Sequence, residues 1–365
     1  MVSYCAVRYL RHWCRNELLH AAKITAFPAR WLNEEHARPI PVPEKKLIKV
    51  AIIGAPNSGK STLINQLVKR KVFPVSKKVH TTRWRAKALL IEKDTQLIFV
   101  DTPGLVTHSE TQKYKLQPHF MTDGERAIGE ADVIGVVHDM SNSYTNTKLD
   151  SKVMKLLNAF QSKESFLVLN KIDTLKSKRQ LLDISDKLTK GQLKQHNHEI
   201  NQRLSDRDSD KSVKTYWTNF SEIFMISALL NEGVDDIKQY LLNAACPGEW
   251  PFPENVFTDQ KQVQIIEETV RAKLLDALPQ EIPYNLIVEL EFLDVDKCGK
   301  MTAVVLVRCK ASRLIRLIKG IKGKRIQEIS AEAEQSLADA FLTEFSLRLV
   351  LEKNASFLEN TLSDK

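Results

Sequence analysis

Gly54-Ala55-Pro56-Asn57-Ser58-Gly59-Lys60-Ser61 follows the apolar run Val50-Ala51-Ile52-Ile53 and precedes the helical pattern Leu63, Ile64, Leu67. The order is strand, glycine loop, helix. Its spacing, GxxxxGK[ST], is the form in which backbone N–H groups cradle the phosphates of a nucleoside triphosphate. Gly54 and Gly59 allow the tight turn, Ala55, Pro56, Asn57 and Ser58 line it, and the start of the following helix adds partial positive charge. Lys60 is placed to reach the β- and γ-phosphates, Ser61 offers its hydroxyl to Mg²⁺, and Thr62 continues the cradle. A chance glycine loop would not explain a strand and a helix on its two sides.

Further along, Leu97-Ile98-Phe99-Val100 predicts a strand that ends in Asp101-Thr102-Pro103-Gly104. A carboxylate there can hold the Mg²⁺ shell, and the Gly104 N–H can sense the γ-phosphate. Val79-His80-Thr81-Thr82-Arg83 precedes a strand over Ala86 to Ile91. A threonine in that loop can reach the metal and γ-phosphate only when the triphosphate is present, which makes the loop a switch, although threonines before a strand are also ordinary β-formers. Strands over Val133 to His138 and Phe166 to Leu169 follow at βαβ spacing, and the second delivers Asn170-Lys171-Ile172-Asp173. The Asp173 carboxylate can accept from N1–H and the exocyclic amine of guanine. Adenine would leave it unpaired, a mismatch worth a factor of about 10⁴. Lys171 would lie over the base. A strand over Ile223 to Ile226 leads to Ser227-Ala228-Leu229, whose N–H groups can meet the guanine carbonyl. From about Lys176 to Lys214 the chain is charge-rich and longer than a single crossover helix needs, so part of it reads as a solvated insertion. Leu105 stands where a Ras-like enzyme has the glutamine that orients the attacking water, so slow intrinsic turnover is expected, no faster than the roughly 10⁻⁴ s⁻¹ scale of an unassisted small GTPase.

Pro247-Gly248-Glu249-Trp250-Pro251-Phe252-Pro253 breaks a helix that starts near Val234 and marks a domain boundary. Thr258 is placed to cap a helix with Val263, Ile266, Val270, Leu274 and Leu278 on one face. Leu286, Val288, Leu290 and Phe292 then alternate as a strand, a turn with Gly299 follows, and Ala303, Val305 and Val307 predict a second strand. Arg308 to Arg325 holds Lys310, Arg313, Arg316, Lys319, Lys322 and Lys324 with no acid, around Gly320-Ile321-Lys322-Gly323. A helix through Ile326, Ile329, Ala333 and Leu337 and a strand through Phe345, Leu347, Leu349 and Leu351 complete the pattern. A GxxG loop between two helices lets a nucleic-acid backbone approach closely, because glycine has no Cβ. The candidate RNA contacts are Arg313, Arg316, Lys319, Gly320, Ile321, Lys322, Gly323, Lys324 and Arg325.

The 365 residues carry 54 Lys plus Arg against 45 Asp plus Glu, a formal net charge of +9 that favours a polyanionic partner. The five cysteines form no C-x-x-C pair, which argues against a disulfide framework or zinc site and suits a reducing compartment. No apolar run is long enough for a membrane-crossing helix. The first 33 residues carry Arg8, Arg11, Arg15, Lys23 and Arg30 with Glu17 as the one acid, and Val7, Leu10, Cys14 and Leu18 recur at helical spacing. This pattern suits a mitochondrial transit peptide; a basic tail or RNA-contacting arm is the alternative. Pro39, Pro41 and Pro43 make an extended linker.

These motifs resemble the Era-type GTPases, and with the basic leader the chain is similar to the mitochondrial Era-like proteins of animals. His80-Thr81-Thr82-Arg83 resembles the family's switch. Thr258-Asp259, Arg271-Ala272-Lys273-Leu274-Leu275 and Glu281-Ile282-Pro283-Tyr284 resemble its entry into a type II KH domain. The resemblance implies an α/β fold with a P-loop GTPase domain, mostly parallel in its sheet with helices on both faces, and a smaller α+β type II KH domain. The expected divisions are an extension (1–45), the GTPase domain (46–246, with its insertion at about 176–214), a linker (247–257), the KH domain (258–355) and a tail (356–365). By resemblance Lys60, Thr82, Gly104 and Asn57 serve catalysis, and Asn57 contacts a K⁺ ion that assists hydrolysis. Ser61, Thr82 and Asp101 face Mg²⁺, and GTP or GDP is the bound nucleotide. The implied partner is the 3′ end of small-subunit rRNA in the assembling ribosomal subunit of the mitochondrial matrix, with peripheral contact to the inner membrane. A cytoplasmic location is the alternative. Ile321, a longer insertion and the absence of basic final-strand residues depart from the family pattern. Two other readings stay open: a regulatory GTPase whose second domain docks a protein, and an ATP-using enzyme, the latter in conflict with Asp173.

Overall fold

The computed structural model describes residues 44–76, 78, 86–102, 120–175, 177, 179–191, 193, 215–279 and 282–353. Thr82, Pro103 and Gly104, the basic leader and the tail lie outside the described residues.

The first domain is built on a seven-stranded sheet in the order β2-β3-β1-β4-β5-β6, with the two-residue β7 (Cys246–Pro247) antiparallel to β1. β1 (Lys46–Gly54) runs between β3 (Thr95–Asp101) and β4 (Val133–Asp139), parallel to both. β5 (Glu164–Asn170) and β6 (Phe220–Ile226) continue the parallel run, and β2 (Ala86–Glu92) pairs antiparallel with β3 at the edge. Val50, Ala51, Ile52 and Ile53 are all buried, as a central parallel strand covered on both faces requires. One core joins Val50 and Ile52 to α1 (Lys60–Val68) and α5 (Val234–Ala244). The other joins Ala51 and Ile53 to α2 (Phe120–Glu130), α3 (Ser151–Ala159) and α4 (Arg179–Thr189).

Helix α4 occupies the first part of the charged stretch. Leu181, Ile184 and Leu188 are buried in the second core, so the first part of the charged stretch is an amphipathic helix whose outer face carries the charge. Residues 194–214 lie outside the described residues.

The second domain runs α6 (Gln262–Ala277), β8 (Ile287–Val295), β9 (Met301–Cys309), α7 (Ser312–Lys319), α8 (Lys324–Phe341) and β10 (Phe345–Lys353). Its sheet order is β10-β9-β8, with β10 parallel and β8 antiparallel to β9. Two expectations fail in detail. Thr258 does not cap α6. It forms a bridge to Ala88 of β2, and Gln264 Oε1 accepts the Lys261 N–H at the helix start, 3.1 Å away. The Leu286 to Phe292 alternation also breaks, because Leu290 faces Val305 while Phe292 faces Val304, a bulge. Past the bulge the faces exchange, leaving Phe292 exposed and packing Leu293 on the core.

The domains touch. Phe257, in the linker, packs against the cores of both. Leu89 N–H donates to Phe257 O at 2.9 Å, and Lys87 N–H to Asp259 Oδ1 at 2.8 Å. Ser76 Oγ donates to Asp276 Oδ1 at 2.7 Å, Lys78 Nζ to Leu278 O, and Lys71 pairs with Asp339 at 2.7 Å. Among the described residues no helix is long and apolar enough to cross a membrane. Replacing Phe257 by alanine is expected to cost about 2 kcal/mol, since the ring is only partly buried, and to speed proteolysis of the 247–257 linker. Urea unfolding and timed limited digestion measure both.

Candidate functional site

Because β1 has β3 on one side and β4 on the other, the connections from its end diverge, and a crevice opens beyond the carboxyl ends of the strands. The carboxyl ends of β1, β3, β5 and β6 all lead there. They carry the P-loop, Asp101, the Asn170 turn and Ser227.

In the P-loop, Asn57 takes the left-handed backbone (φ 60°) and is exposed, while Ser58 is fully buried. Gly59 has φ 96°, and a Cβ there would lie 2.2 Å from Asn170 Nδ2. Only glycine meets both conditions. Lys60 heads α1 but turns its Nζ back to the carbonyls of Gly54 (3.1 Å) and Ala55 (2.9 Å). Burial lowers its pKa to about 8 against the opposing pull of Asp101 and Asp150. An ammonium so desolvated is primed for an anion in the cradle.

Ser61 Oγ donates to Asp101 Oδ2 at 2.8 Å, which brings together from helix α1 and strand β3 the hydroxyl and carboxylate assigned to Mg²⁺. Both are hard oxygen donors of the kind Mg²⁺ selects, so the pair fits the ion. Among the described residues no group of three or more His, Cys, Asp or Glu could hold a metal, and a Mg²⁺ completed by phosphates and water needs none. Thr102 is different. Its buried hydroxyl donates to Ile52 O at 2.9 Å and ties β3 to β1.

Asn170 is 1% exposed and joins three loops. Its Nδ2 donates to Ser58 O at 2.8 Å, and its Oδ1 accepts from Lys171 N at 2.8 Å and Ala228 N at 2.9 Å. The Ala228 N–H expected at the guanine carbonyl is therefore engaged by Asn170. Ser227 is buried and its Oγ accepts from Leu230 N at 3.3 Å, whereas the Leu229 side chain is exposed at the rim. Asp173 is exposed on the short turn after Lys171, open to a base. Lys171 has φ 66°, and its Nζ is 2.6 Å from Asp139 Oδ2. Burial opposes ionisation of Asp139, but hydrogen bonds from Lys171 and Ser141 outweigh it and hold the carboxyl below its ordinary range. Sequence reasoning missed Asp139. The available signal was positional, because β4 ends at Asp139 directly opposite Asn170 of β5.

In the second domain Arg313, Arg316, Lys319, Lys322 and Lys324 are exposed, and Ile321 is 87% exposed. Gly323 has φ 81° and open space where a Cβ would stand, so a ligand backbone has room there. Arg325 also braces the fold. Its Nη1 donates to Leu317 O at 2.7 Å, tying the end of α7 to the start of α8.

A phosphate loop braced by an Asn-Lys-x-Asp turn, with a serine and strand-end carboxylate in contact, defines a P-loop GTPase. The family model described as 50S ribosome-binding GTPase matches residues 49–171. The chain is 35% identical over 371 residues to "GTPase Era, mitochondrial" of Salmo salar, covering 90% of this chain and 81% of that protein. It is 27% identical to the protein of that name from Caenorhabditis elegans, covering 87% and 92% of the two chains. Crystal structures of Aquifex aeolicus Era with GDP and AlF₄⁻, and of Era with MgGDPNP and nucleotides 1506–1542 of 16S ribosomal RNA, each align with TM-score 0.65 at 26% identity. They cover 85% and 86% of this chain, and 94% and 95% of theirs. The chain belongs to the Era family of GTPases. Its second domain has the element order and GxxG junction of a type II KH domain.

Gly59→Ala is expected to weaken GDP binding at least a hundredfold, because the new methyl displaces Asn170 and with it the Ser58 carbonyl. Titration with a fluorescent GDP analogue measures the loss.

Proposed function

We propose that the chain is an RNA chaperone that binds GTP and, in that state, the 3′ region of mitochondrial small-subunit rRNA, assisting assembly of that subunit in the matrix. Peripheral contact with the matrix side of the inner membrane belongs to the same reading. The observation that carries it is the union in one chain of the Asn170-braced nucleotide crevice with a GxxG loop whose Ile321 stands in solvent among exposed cations. The Era structure holding MgGDPNP and a 16S rRNA fragment supports it, as do the mitochondrial names of the relatives.

In this reading the loop from Gly54 through Thr62 wraps the phosphates, and Lys60 exchanges its two carbonyl partners for phosphate oxygens. Ser61, Asp101 and Thr82 hold Mg²⁺, which when bound neutralises charge developing on the phosphates. Asn57 contacts K⁺ in place of the missing glutamine's help. The Gly104 N–H senses the γ-phosphate, the Thr102-Pro103 stretch before it lies along the nucleotide, and Asp173 reads the guanine edge. Arg313, Arg316, Lys319, Lys322 and Lys324 take RNA phosphates around the Gly320 to Gly323 clamp, where the backbone can approach.

Two measurements test this. Asp173→Asn is expected to lower GTP affinity about a hundredfold or more and to raise that for XTP, whose extra carbonyl accepts from the new amide. Equal losses for both nucleotides would remove Asp173 from the base site. Ultraviolet crosslinking and sequencing should give one sharp peak at the 3′ end of mitochondrial small-subunit rRNA, lost in the Ile321→Asp, Lys322→Asp variant. A peak the variant leaves intact would move the clamp elsewhere, and no peak would favour a protein-docking switch.

A further inference from the structure

Lys171 is held at both ends. At the backbone end its N–H donates to Asn170 Oδ1 at 2.8 Å, while its carbonyl accepts from Thr174 N at 3.1 Å and Thr174 Oγ1 at 2.7 Å. At the far end Nζ meets Asp139 Oδ2 at 2.6 Å. The carboxylate is fixed in turn, because its other oxygen accepts from Ser141 N at 2.8 Å and Ser141 Oγ at 2.6 Å. Asp139 itself sits on a registered strand end, opposite Asn170, and the next N–H, of Met140, donates to Asn170 O at 3.0 Å. Between the two anchors runs the four-carbon stem of the lysine.

We propose that Asp139 is a positioning residue for the guanine site: it stretches Lys171 so that the lysine stem forms a preset apolar wall over the base, and thereby sets how long the nucleotide stays bound. This rests on the reading of the Asn170 to Asp173 turn as the base site. A free lysine side chain has large rotamer freedom, which it would lose on covering a base. With Asp139 in place that freedom is already lost in the folded protein, so binding does not bear it again. The half-buried pair, with side chains 31% and 22% exposed, is shielded enough to hold its geometry, unlike a fully solvated surface pair. Both carboxylate oxygens of Asp139 are engaged within the protein, one by Lys171 and the other by Ser141, so in this proposal it acts through the lysine. Its effect should therefore appear in residence of the whole nucleotide and not in phosphate binding or in the choice of guanine over other purines.

A double-mutant cycle on the full chain tests this, read as the dissociation rate of a fluorescent GDP analogue, with competition by inorganic pyrophosphate as the control. Asp139→Asn is expected to speed GDP release about tenfold while leaving the pyrophosphate competition constant unchanged. Lys171→Met should speed release by itself, and Asp139→Asn added to it should do nothing more. A further full tenfold in the Lys171→Met background would overturn the proposal, as would a parallel loss of pyrophosphate binding, since either means that Asp139 acts other than through the lysine. If Lys171→Met leaves release unchanged, the base-site reading itself fails. If Asp139→Asn does not fold, Ser141→Ala removes the hydroxyl bracing the carboxylate and carries the same cycle with an expected twofold to threefold effect, about half of the full change on a logarithmic scale.

Discussion

Everything at the nucleotide crevice depends on the buried amide of Asn170. It is the meeting point of three loops that the sequence places far apart, and it holds them by one donated and two accepted hydrogen bonds. In a site shielded from water each such bond has no solvent to replace it, so losing the amide would strand the Ser58 carbonyl and the Ala228 N–H together. The close approach of Gly59 follows from the same constraint, because the amide needs the space a Cβ would fill. The P-loop is thus shaped from outside as well as by its own glycines.

The electrostatics of the crevice are arranged around that frame. Lys60 is buried at a cost, as its lowered pKa shows, and it meets that cost only partly with two loop carbonyls. A phosphate restores what burial removes, so the same desolvation that strains the lysine alone strengthens its attraction to the ligand. The Ser61 and Asp101 side chains already lie in contact. Little reorganisation is then required of the protein's half of the metal shell.

Much of this was legible in the sequence, for identifiable reasons. GxxxxGK[ST], Asp-Thr-Pro-Gly and Asn-Lys-x-Asp are local patterns whose chemistry is tied to fixed spacing, and the strand runs at Val50, Leu97, Val133 and Phe166 carry continuous apolar signals. The failures arise where the deciding contact is long-range. Asp139 meets Lys171 across a strand pair, and neither residue signals it. Arg325 looks like any other cation in a basic run until the Leu317 carbonyl is found beside it. Thr258 has the composition of a helix cap, but pairing with β2 claims it first. The bounds of helix α4 within the charged stretch were hidden because its apolar residues are outnumbered by charge, and the bulge in β8 has no sequence mark that alternation alone would reveal.

The contact between the domains combines two kinds of interaction of unequal strength. Phe257 belongs to both cores and provides an apolar pivot. Around it, Ser76 with Asp276, Lys71 with Asp339 and Lys78 with Leu278 are polar contacts near the surface, each worth at most about 1 kcal/mol. Ser76 and Lys78 lie after α1, on the stretch that leads toward Thr82 in the sequence. A ligand at a hundred times its dissociation constant supplies about 2.7 kcal/mol to the state it prefers. That is enough to exchange two or three such polar contacts, but not to expose the Phe257 ring and the cores it joins. The interface is therefore graded: an apolar pivot that belongs to both cores, ringed by polar contacts that are each individually weak.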